Sequence, residues 1–228
     1  MVTRAAASQR VVIVGNGETA AIAHEAFSSD SPYEVVAFSA DQAYVTTDQI
    51  SDLPVVALDQ LTARFAPDKF SAFVAVSMPG LNRVRRRLFD SVKAMGFTCV
   101  SYVSSRALIA PSASFGENVF IHANAILAYN AKIGDNVMIG AGTHIGHSSV
   151  VEGDCYFGPH ATVCGFARIG RNTFIGAGSC VADNKTVAHD CVVGAGAVIL
   201  RDTDPSQVYL GNPARPTGSY SSETFPAY

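Results

Sequence analysis

Large apolar residues recur at every sixth position through the second half of the chain. The series is Ile109, Phe115, Ile121, Leu127, Ile133, Ile139, Ile145, Val151, Phe157, Val163, Ile169, Ile175, Val181, Val187, Val193 and Ile199. Because 48% of all residues are hydrophobic, sixteen successive hits have a chance probability of roughly one in 100,000. Glycine often follows the apolar residue, and alanine often stands two positions before it. This period predicts a parallel β-helix of about five triangular coils, each built from three hexapeptides.

The first hundred residues instead alternate between β-branched runs and helical patterns. Strands are predicted at residues 10–14, 33–38, 55–58, 73–76 and 98–103, and helices after Gly17 and over residues 81–95. This alternation favours a small Rossmann-like parallel α/β sheet. We therefore expect an α/β domain at residues 1–104, a β-helix at 105–204 and a C-terminal tail at 205–228, loose and polar from residue 217.

Charge and cysteine content exclude several classes of protein. The net charge is −3, and the only dense basic run is Arg83, Arg85, Arg86 and Arg87, which we interpret as the solvated face of a helix. A nucleic-acid binder usually has a broad basic face, so that class is disfavoured. No uninterrupted apolar stretch reaches the roughly 18 residues of a membrane span. Five cysteines without a CxxC pair indicate neither disulfides nor a cysteine zinc site, and favour a reducing cytoplasm.

A glycine-rich turn follows the first predicted strand. Gly15, Asn16 and Gly17 lead into a helix, whose N–H groups and positive dipole end attract phosphate. Ala20 takes the place of the third glycine in the dinucleotide-binding pattern. Asp41, just after the second strand, is placed either to bind a ribose or base or to remain a solvated loop residue.

The order of α/β domain and hexapeptide series, closed by the segment Gly211-Asn212-Pro213-Ala214-Arg215, resembles a known family. It is similar to the hexapeptide-repeat sugar acyltransferases of the sialic-acid O-acetyltransferase and bacillosamine N-acetyltransferase type. The resemblance implies a left-handed β-helix and a homotrimer that binds acetyl-CoA as co-substrate between neighbouring β-helices. It also implies that the N-terminal domain helps to hold a nucleotide-linked sugar.

The activity implied by the resemblance is transfer of an acetyl group from acetyl-CoA to a sugar. The preferred acceptor is the amino group of a nucleotide-linked deoxy amino sugar, for surface polysaccharide or glycan synthesis. In the relatives the N-terminal turn usually carries Gly-His, whereas this chain has Gly17-Glu18. A hydroxyl acceptor therefore stays open as an alternative. A non-catalytic trimeric binding protein is a second alternative, from a different functional class.

One predicted corner of the β-helix places a histidine against a glycine. His147 and Gly165 are 18 residues apart, so they stack in successive coils. Acyl transfer needs a base for the proton of the acceptor and a donor for the oxygen that becomes negative. The resemblance assigns His147 as the base and the N–H of Gly165 as the donor. The family histidine is usually followed by an acid, but here Ser148 follows. Glu152, Asp154 or a backbone carbonyl is therefore a candidate to orient the ring.

A second predicted corner is almost bare backbone and suits a coenzyme A arm. Its candidate cofactor-binding residues are Gly176, Ala177, Gly194 and Ala195, although such small residues also serve a turn alone. His160 interrupts this corner, and in a trimer it is expected to face His147 of a neighbour as a second catalytic or acceptor-binding candidate. Arg215 is placed to meet the phosphates of the coenzyme.

A zinc hydratase of the gamma carbonic anhydrase kind is a competing interpretation of the histidines. The possible ligands are His122, His144, His147 and His160. Zinc requires three ligands that converge at about 2 Å, and these four fall on different predicted faces and corners without the spacing of that family. We therefore expect no metal cofactor.

Overall fold

The structure is a computed structural model that describes residues 9–220. These residues divide into two compact units. The first contains residues 9–76 and 90–100, and the second contains residues 77–89 and 101–220. The helix α3 (Arg83–Ala94), close to its predicted limits, contributes residues to both units.

The first unit is a five-stranded α/β sheet. Its elements are β1 (Gln9–Val14), α1 (Glu18–Ser29), β2 (Tyr33–Ala40), a 3-10 turn (Gln42–Tyr44), β3 (Gln49–Ile50), β4 (Leu53–Ala57), a second 3-10 turn (Leu58–Gln60), α2 (Leu61–Arg64) and β5 (Ser71–Val74). The strand order is β3-β4-β2-β1-β5, and only the short β3 runs antiparallel. Strand β1 is buried from Val11 onward, and Phe27 of α1 packs edge-on against Phe73 with ring centroids 5.0 Å apart.

Four of the five strands predicted for this sheet are present, and the prediction at residues 98–103 is wrong. Cys99 forms only an isolated bridge with Ala72, and Val100 donates its N–H to the Ala72 carbonyl. The chain then leaves the sheet, and Tyr102–Val103 is the first strand of the second unit. The apolar run was therefore continuous in sequence but is shared between two sheets.

The second unit is a parallel β-helix with three faces of two-residue strands, and two longer strands extend the first face at its end. The first face contains Tyr102–Val103, Phe120–Ile121, Met138–Ile139, Tyr156–Phe157, Phe174–Ile175, Val192–Val193, Gln207–Leu210 and Arg215–Tyr220. The second contains Leu108–Ile109, Ile126–Leu127, His144–Ile145, Thr162–Val163, Cys180–Val181 and Val198–Ile199. The third contains Ser114–Phe115, Lys132–Ile133, Val150–Val151, Arg168–Ile169 and Thr186–Val187. Strands pair in register with those 18 residues away, as the sequence period predicted.

The sixth-position apolar residues fill the axis of the β-helix. From Ile121 to Ile199 every member of the series is buried, and each contributes about 1.5–3 kcal/mol by leaving water. The first two members are the exceptions: Ile109 is half-buried, and Phe115, at the first strand of the third face, has 38% of its surface exposed. The α/β domain followed by a left-handed β-helix confirms the predicted fold class.

Three kinds of corner join the faces. We call them the Gly–Ala corner (residues 122–125, 140–143, 158–161, 176–179 and 194–197), the histidine corner (128–131, 146–149, 164–167 and 182–185) and the Asx corner (116–119, 134–137, 152–155, 170–173 and 188–191). The glycine that follows the apolar residue does not make the sharp turn; its role is close packing between coils. A Cβ on Gly140 would lie 2.7 Å from the Phe157 carbonyl oxygen. The sharp turn falls later, where φ is positive, as at Asn130 and Gly142.

Asparagine and aspartate side chains form a polar ladder along the Asx corner. Asn118 donates to Asn136 at 2.9 Å, and Asn136 donates to Asp154 at 2.8 Å. Further along, Asn172 donates to Asp190. All five residues have φ between 54° and 64°, a conformation that asparagine and aspartate tolerate better than most residues.

The arginine run of α3 contacts this ladder. Its interpretation as a solvated helix face is wrong for Arg85, which is buried, whereas Arg83 is exposed as expected. Arg83 pairs with Asp190 at 2.7 Å, and Arg86 pairs with Asp154 at 3.5 Å. Arg85 is fully buried and donates to the carbonyls of Asn136 and Cys155 at 3.1 and 3.0 Å. Burial lowers the pKa of Arg85 to about 10, partly offset by the charge of Asp154, so the guanidinium stays protonated at neutral pH. The charge pattern alone gave no sign of these buried acceptors.

The chain after the last coil is ordered as two strands rather than a loose tail up to residue 220. Val192–Val193 pairs parallel with the Gln207–Leu210 strand, which pairs antiparallel with Arg215–Tyr220. Residues 221–228 of the predicted tail lie outside the described residues. Among the residues that the structure describes, no helix has the length and apolar content to cross a membrane.

Candidate active site

In the first unit, the glycine-rich turn lies at the carboxyl ends of the sheet strands. Because β2 and β5 flank β1 on opposite sides, this is the topological switch point where α/β sheets bind ligands. Gly15 has φ 135°, and a Cβ there would lie 2.5 Å from the Ala75 carbonyl oxygen, so only glycine fits. The Asn16 amide donates to the Tyr44 carbonyl at 2.6 Å.

The same edge brings the other predicted nucleotide-binding residues together. Gly17 is the N-cap of α1, with open space around its Cα, and Glu18 follows in the first helical turn. Asp41 is half-buried after β2 and begins the 3-10 turn that ends at Tyr44. The structure therefore groups Gly15, Asn16, Gly17 and Asp41 at one edge, although Glu18 adds a negative charge there.

In the second unit, His147 lies directly on Gly165 of the next coil, as the 18-residue spacing predicted. A Cβ on Gly165 would lie 2.6 Å from Nε2 and 2.9 Å from Nδ1 of His147, so any larger residue would displace the ring. The Phe166 N–H donates to the His147 carbonyl at 2.9 Å and fixes the two coils in register. In the described part of the chain, the N–H of Gly165 donates to no other group. An exposed imidazole and an unpaired N–H therefore lie side by side.

The two acids considered for orienting His147 lie on another corner. Asp154 accepts from Asn136 and pairs with Arg86, and Glu152 accepts from the Arg171 N–H at 2.9 Å. Both belong to the Asx corner, so neither orients His147. Within residues 9–220 no side chain hydrogen-bonds the imidazole, which packs edge-on against the Phe166 ring at 4.9 Å between centroids.

The structure does not bring His160 and His147 together within one chain. His160 lies on the Gly–Ala corner, exposed, with φ 57° and its ring against Gly142 of the preceding coil. His147 lies on the histidine corner, at the opposite edge of the second face. A site that uses both histidines therefore requires two copies of the chain.

The Gly–Ala corner presents free backbone donors, but only at two of its four predicted cofactor-binding residues. Ala177 and Ala195 are exposed, and their N–H groups pair with nothing in the described chain. Gly176 and Gly194 donate instead to the carbonyls of Val193 and Tyr209, at 2.7 and 2.9 Å. The alanines therefore offer hydrogen bonds to a ligand, whereas the glycines hold the coils together.

Arg215 is exposed at the start of the last described strand. Its guanidinium donates to the Ala214 carbonyl at 2.8 Å and has further donors for a phosphate. His122, in contrast, is half-buried against the Phe120 ring, and burial lowers its pKa. Among residues 9–220 no cluster of three or more histidine, cysteine or acidic side chains is arranged to hold a metal ion.

Sequence reasoning missed two exposed aromatic residues beside His147. Tyr129 stands one coil before His147 on the histidine corner, and Phe166 stands one coil after it. Their exposed fractions are 63% and 55%. The available signal was the residue type, because Phe166 occupies a corner position that carries asparagine or serine in the neighbouring coils.

Two family models match the repeats. Residues 112–147 match the model described as bacterial transferase hexapeptide (six repeats), and residues 166–201 match the hexapeptide repeat of succinyl-transferase. A comparison with curated protein sequences found no significant match.

Solved structures match nearly the whole chain. The acetyltransferase domain of PglB from Neisseria gonorrhoeae, in complex with acetyl coenzyme A, is 28% identical with a TM-score of 0.82, covering 92% of this chain and 100% of that one. A histidine-to-asparagine mutant of perosamine N-acetyltransferase from Caulobacter crescentus, in complex with CoA and GDP-perosamine, is 29% identical with a TM-score of 0.83, covering 93% and 99%. WeeI from Acinetobacter baumannii is 20% identical with a TM-score of 0.75, covering 92% and 100%, and supports the fold alone.

The repeat, the three-faced β-helix and the preceding α/β unit are the features of a hexapeptide-repeat transferase. Together with the full-length similarity to sugar N-acetyltransferases, they support a hexapeptide-repeat sugar acetyltransferase. The resemblance predicted from sequence is thereby confirmed.

Proposed function

We propose that this protein transfers the acetyl group of acetyl-CoA to the amino group of a nucleotide-linked deoxy amino sugar, for polysaccharide or glycan synthesis. The broad activity, acetyl-CoA-dependent sugar acetylation, is supported by the bound ligands of the full-length relatives, acetyl coenzyme A in one and CoA with GDP-perosamine in another. Because the Caulobacter crescentus relative is an N-acetyltransferase, an amine is favoured over a hydroxyl as the acceptor.

The observation that supports the mechanism best is the contact between His147 and Gly165. The imidazole accepts a proton from the acceptor amine while the amine nitrogen attacks the thioester carbonyl. The unpaired N–H of Gly165 stabilises the carbonyl oxygen as it becomes negative. Collapse of the intermediate breaks the C–S bond, forms the amide and returns the proton to the coenzyme A sulfur.

The donor and acceptor bind to separate groups of residues in this proposal. Ala177 and Ala195 bind the pantetheine arm of the coenzyme through their N–H groups, while Gly176 and Gly194 hold adjacent coils together at this corner. Arg215 binds a phosphate of the coenzyme. The Gly15-Asn16-Gly17 turn and Asp41 bind the nucleotide of the acceptor.

A homotrimer is part of the proposal because one chain separates the two halves of the catalytic site. His147 of one copy works with the Gly–Ala corner of a neighbour, where His160 contacts the acceptor. A cytoplasmic location is supported by the requirement for acetyl-CoA and by five free cysteines.

The experiment that tests this function measures coenzyme A release with GDP-, UDP- and dTDP-linked amino sugars. We expect His147→Ala to lower kcat by about 100-fold or more while acetyl-CoA binding and trimer mass stay unchanged. His160→Ala should mainly raise the KM of the acceptor. Equal losses of kcat in both variants would contradict the assignment.

A ligand screen gives an independent test of donor and acceptor. Acetyl-CoA and one nucleoside diphosphate, each at about 1 mM, should raise the melting temperature of the protein. A response to acetyl-CoA but to no nucleotide would indicate a sugar on a different carrier. No response to either ligand would favour the non-catalytic trimeric binding protein.

A further inference from the structure

Phe166 adopts a backbone conformation that is unfavourable for its residue type. Its φ is 56°, in the left-handed region, where a bulky side chain crowds its own backbone. On the same corner, Asn130, Ser148 and Asn184 have φ values of 55–56°. Asparagine and serine tolerate the conformation better than a bulky residue does, so Phe166 is the exception among these four equivalent positions of the histidine corner.

Burial does not compensate for this strain. The ring remains 55% exposed and packs against no part of the apolar axis. The Phe166 ring packs edge-on against the His147 ring, with 4.9 Å between the ring centroids and 84° between the ring planes. A strained, exposed aromatic residue in contact with a candidate catalytic base indicates a role in ligand binding.

A second exposed aromatic residue extends the same surface. Tyr129, 63% exposed, stands one coil before His147, and its carbonyl accepts from the Ser148 N–H at 2.8 Å. His147 therefore lies between the coils that carry Tyr129 and Phe166. A ligand that reaches the imidazole must pass beside these rings.

We propose that Phe166, with Tyr129 on the other side of His147, binds the sugar ring of the acceptor through its apolar C–H face and so selects deoxy sugars. This proposal rests on the proposed function and specifies its acceptor. A sugar ring presents hydroxyls at its edge and C–H groups on its faces, and an aromatic side chain packs against the latter. A methyl group at the deoxy position adds apolar area to this contact. A hydroxyl at the same position would lose its bound water against the aromatic ring and gain no hydrogen-bond partner.

The test variant is Phe166→Asn, because asparagine already occupies the matching positions 130 and 184 with the same φ. The backbone should accept it without loss of thermal stability. We expect the KM of a deoxy amino sugar acceptor to rise about tenfold, with kcat and the KM of acetyl-CoA unchanged. Phe166→Tyr should retain most of the wild-type affinity.

Specificity provides the decisive measurement. Wild-type protein should prefer a deoxy amino sugar over its hydroxylated analogue, measured as the ratio of kcat/KM, and Phe166→Asn should reduce this preference about fivefold or more. The matched control is Leu200→Asn, which removes another apolar side chain, 50% exposed, beyond the same corner without altering the preference.

Three results would overturn the proposal. An unchanged acceptor KM and preference in Phe166→Asn would exclude sugar contact. Loss of trimer mass in Phe166→Asn would make the ring an interface residue. An equal effect of Leu200→Asn would indicate a general surface effect. Absence of acetyl transfer by the wild-type protein to any sugar would contradict the proposed function itself, and ligand stabilisation distinguishes that failure from a failure at Phe166.

Discussion

A single missing side chain determines the geometry around His147. Gly165 leaves room for the imidazole to lie flat against the backbone of the next coil, where the thioester carbonyl is proposed to bind. Most glycines that follow an apolar residue in this β-helix pack against backbone instead, as Gly158 does against Ala177. Gly165 instead accommodates a histidine ring, as Gly142 does for His160.

We predict that Gly165→Ala removes activity and leaves the fold intact. The added Cβ would lie 2.6 Å from His147 Nε2, so the exposed ring must rotate away from its position. We expect kcat to fall about 100-fold, because the base loses its alignment, with a change in unfolding free energy below about 1 kcal/mol. Steady-state kinetics and urea unfolding provide the two measurements.

The control is a double-mutant cycle. In a His147→Ala background, Gly165→Ala has no ring to displace, so its further effect on kcat should be less than about threefold. Full additivity of the two losses would show that the alanine acts independently of His147.

The position of His147 over Gly165 could be predicted because the 18-residue period converts sequence spacing directly into stacking. Its orienting partner could not be predicted in the same way. Glu152 and Asp154 are near in sequence, but the intervening strand carries them to the next corner. Sequence distance is therefore a poor guide between corners and a good one between coils.

Among elements, the Asx corner carries an electrostatic contribution to stability. Burial raises the pKa of Asp190, but hydrogen bonds from His189 and Asn172 and the charge of Arg83 outweigh this effect and hold the pKa below its usual value of 3.8. A carboxylate with a lowered pKa stabilises the fold above pH 3.8 and loses that contribution as pH falls through the folded-state value.

We predict that Asp190→Asn destabilises the protein at pH 7 and progressively less in acid. The expected loss is about 1–2 kcal/mol at pH 7, from charge-assisted hydrogen bonds, and it should shrink as pH falls below about 4. Urea unfolding at a series of pH values measures the difference between variant and wild type. Asp183→Asn, an exposed carboxylate on the histidine corner, is the control with little effect. A loss independent of pH would contradict the electrostatic origin.

The strands of the β-helix could be predicted individually, because each contributes one apolar residue to the period. The contacts of α3 could not, because arginine is usually solvated. Arg85 is instead enclosed by carbonyl groups at the Asx corner, which the primary sequence does not reveal. Likewise, the strand Arg215–Tyr220 has no apolar alternation, and its pairing with Gln207–Leu210 stabilises it.

For the whole molecule, the proposed trimer makes a quantitative prediction about mixed assemblies. A chain with His147→Ala keeps its Gly–Ala corner, and a chain with Ala177→Pro keeps its histidine but loses the N–H proposed to bind the coenzyme. Proline should fit position 177, because Pro159 occupies the same position one coil earlier. Each variant alone should be inactive at low acetyl-CoA, since one half of every site is damaged.

We expect co-expression of the two variants in equal amounts to restore about one quarter of wild-type activity. Random assembly pairs an intact histidine with an intact neighbouring corner in about one site of four. The measurement is coenzyme A release by the mixed trimer, whose mass should be about three times the chain mass of 23.9 kDa. No restoration would place both halves in one chain. Ala141→Pro, at the same corner two coils before residue 177, is the control that should retain activity.

Because the coils of this β-helix rise by a constant distance, the number of coils between two residues sets their separation along the axis. Each coil advances the chain by one strand spacing, about 4.8 Å, so the distance from His147 to the coils of Ala177 and Ala195 is set by counting hexapeptides. Insertion or deletion of three hexapeptides would keep the packing pattern of the axis and shift the proposed base relative to the proposed coenzyme-binding residues by one coil, about 4.8 Å. In the proposed trimer, where these alanines belong to the neighbouring copy, the number of coils therefore sets how far along the axis the proposed base lies from the residues proposed to bind the coenzyme.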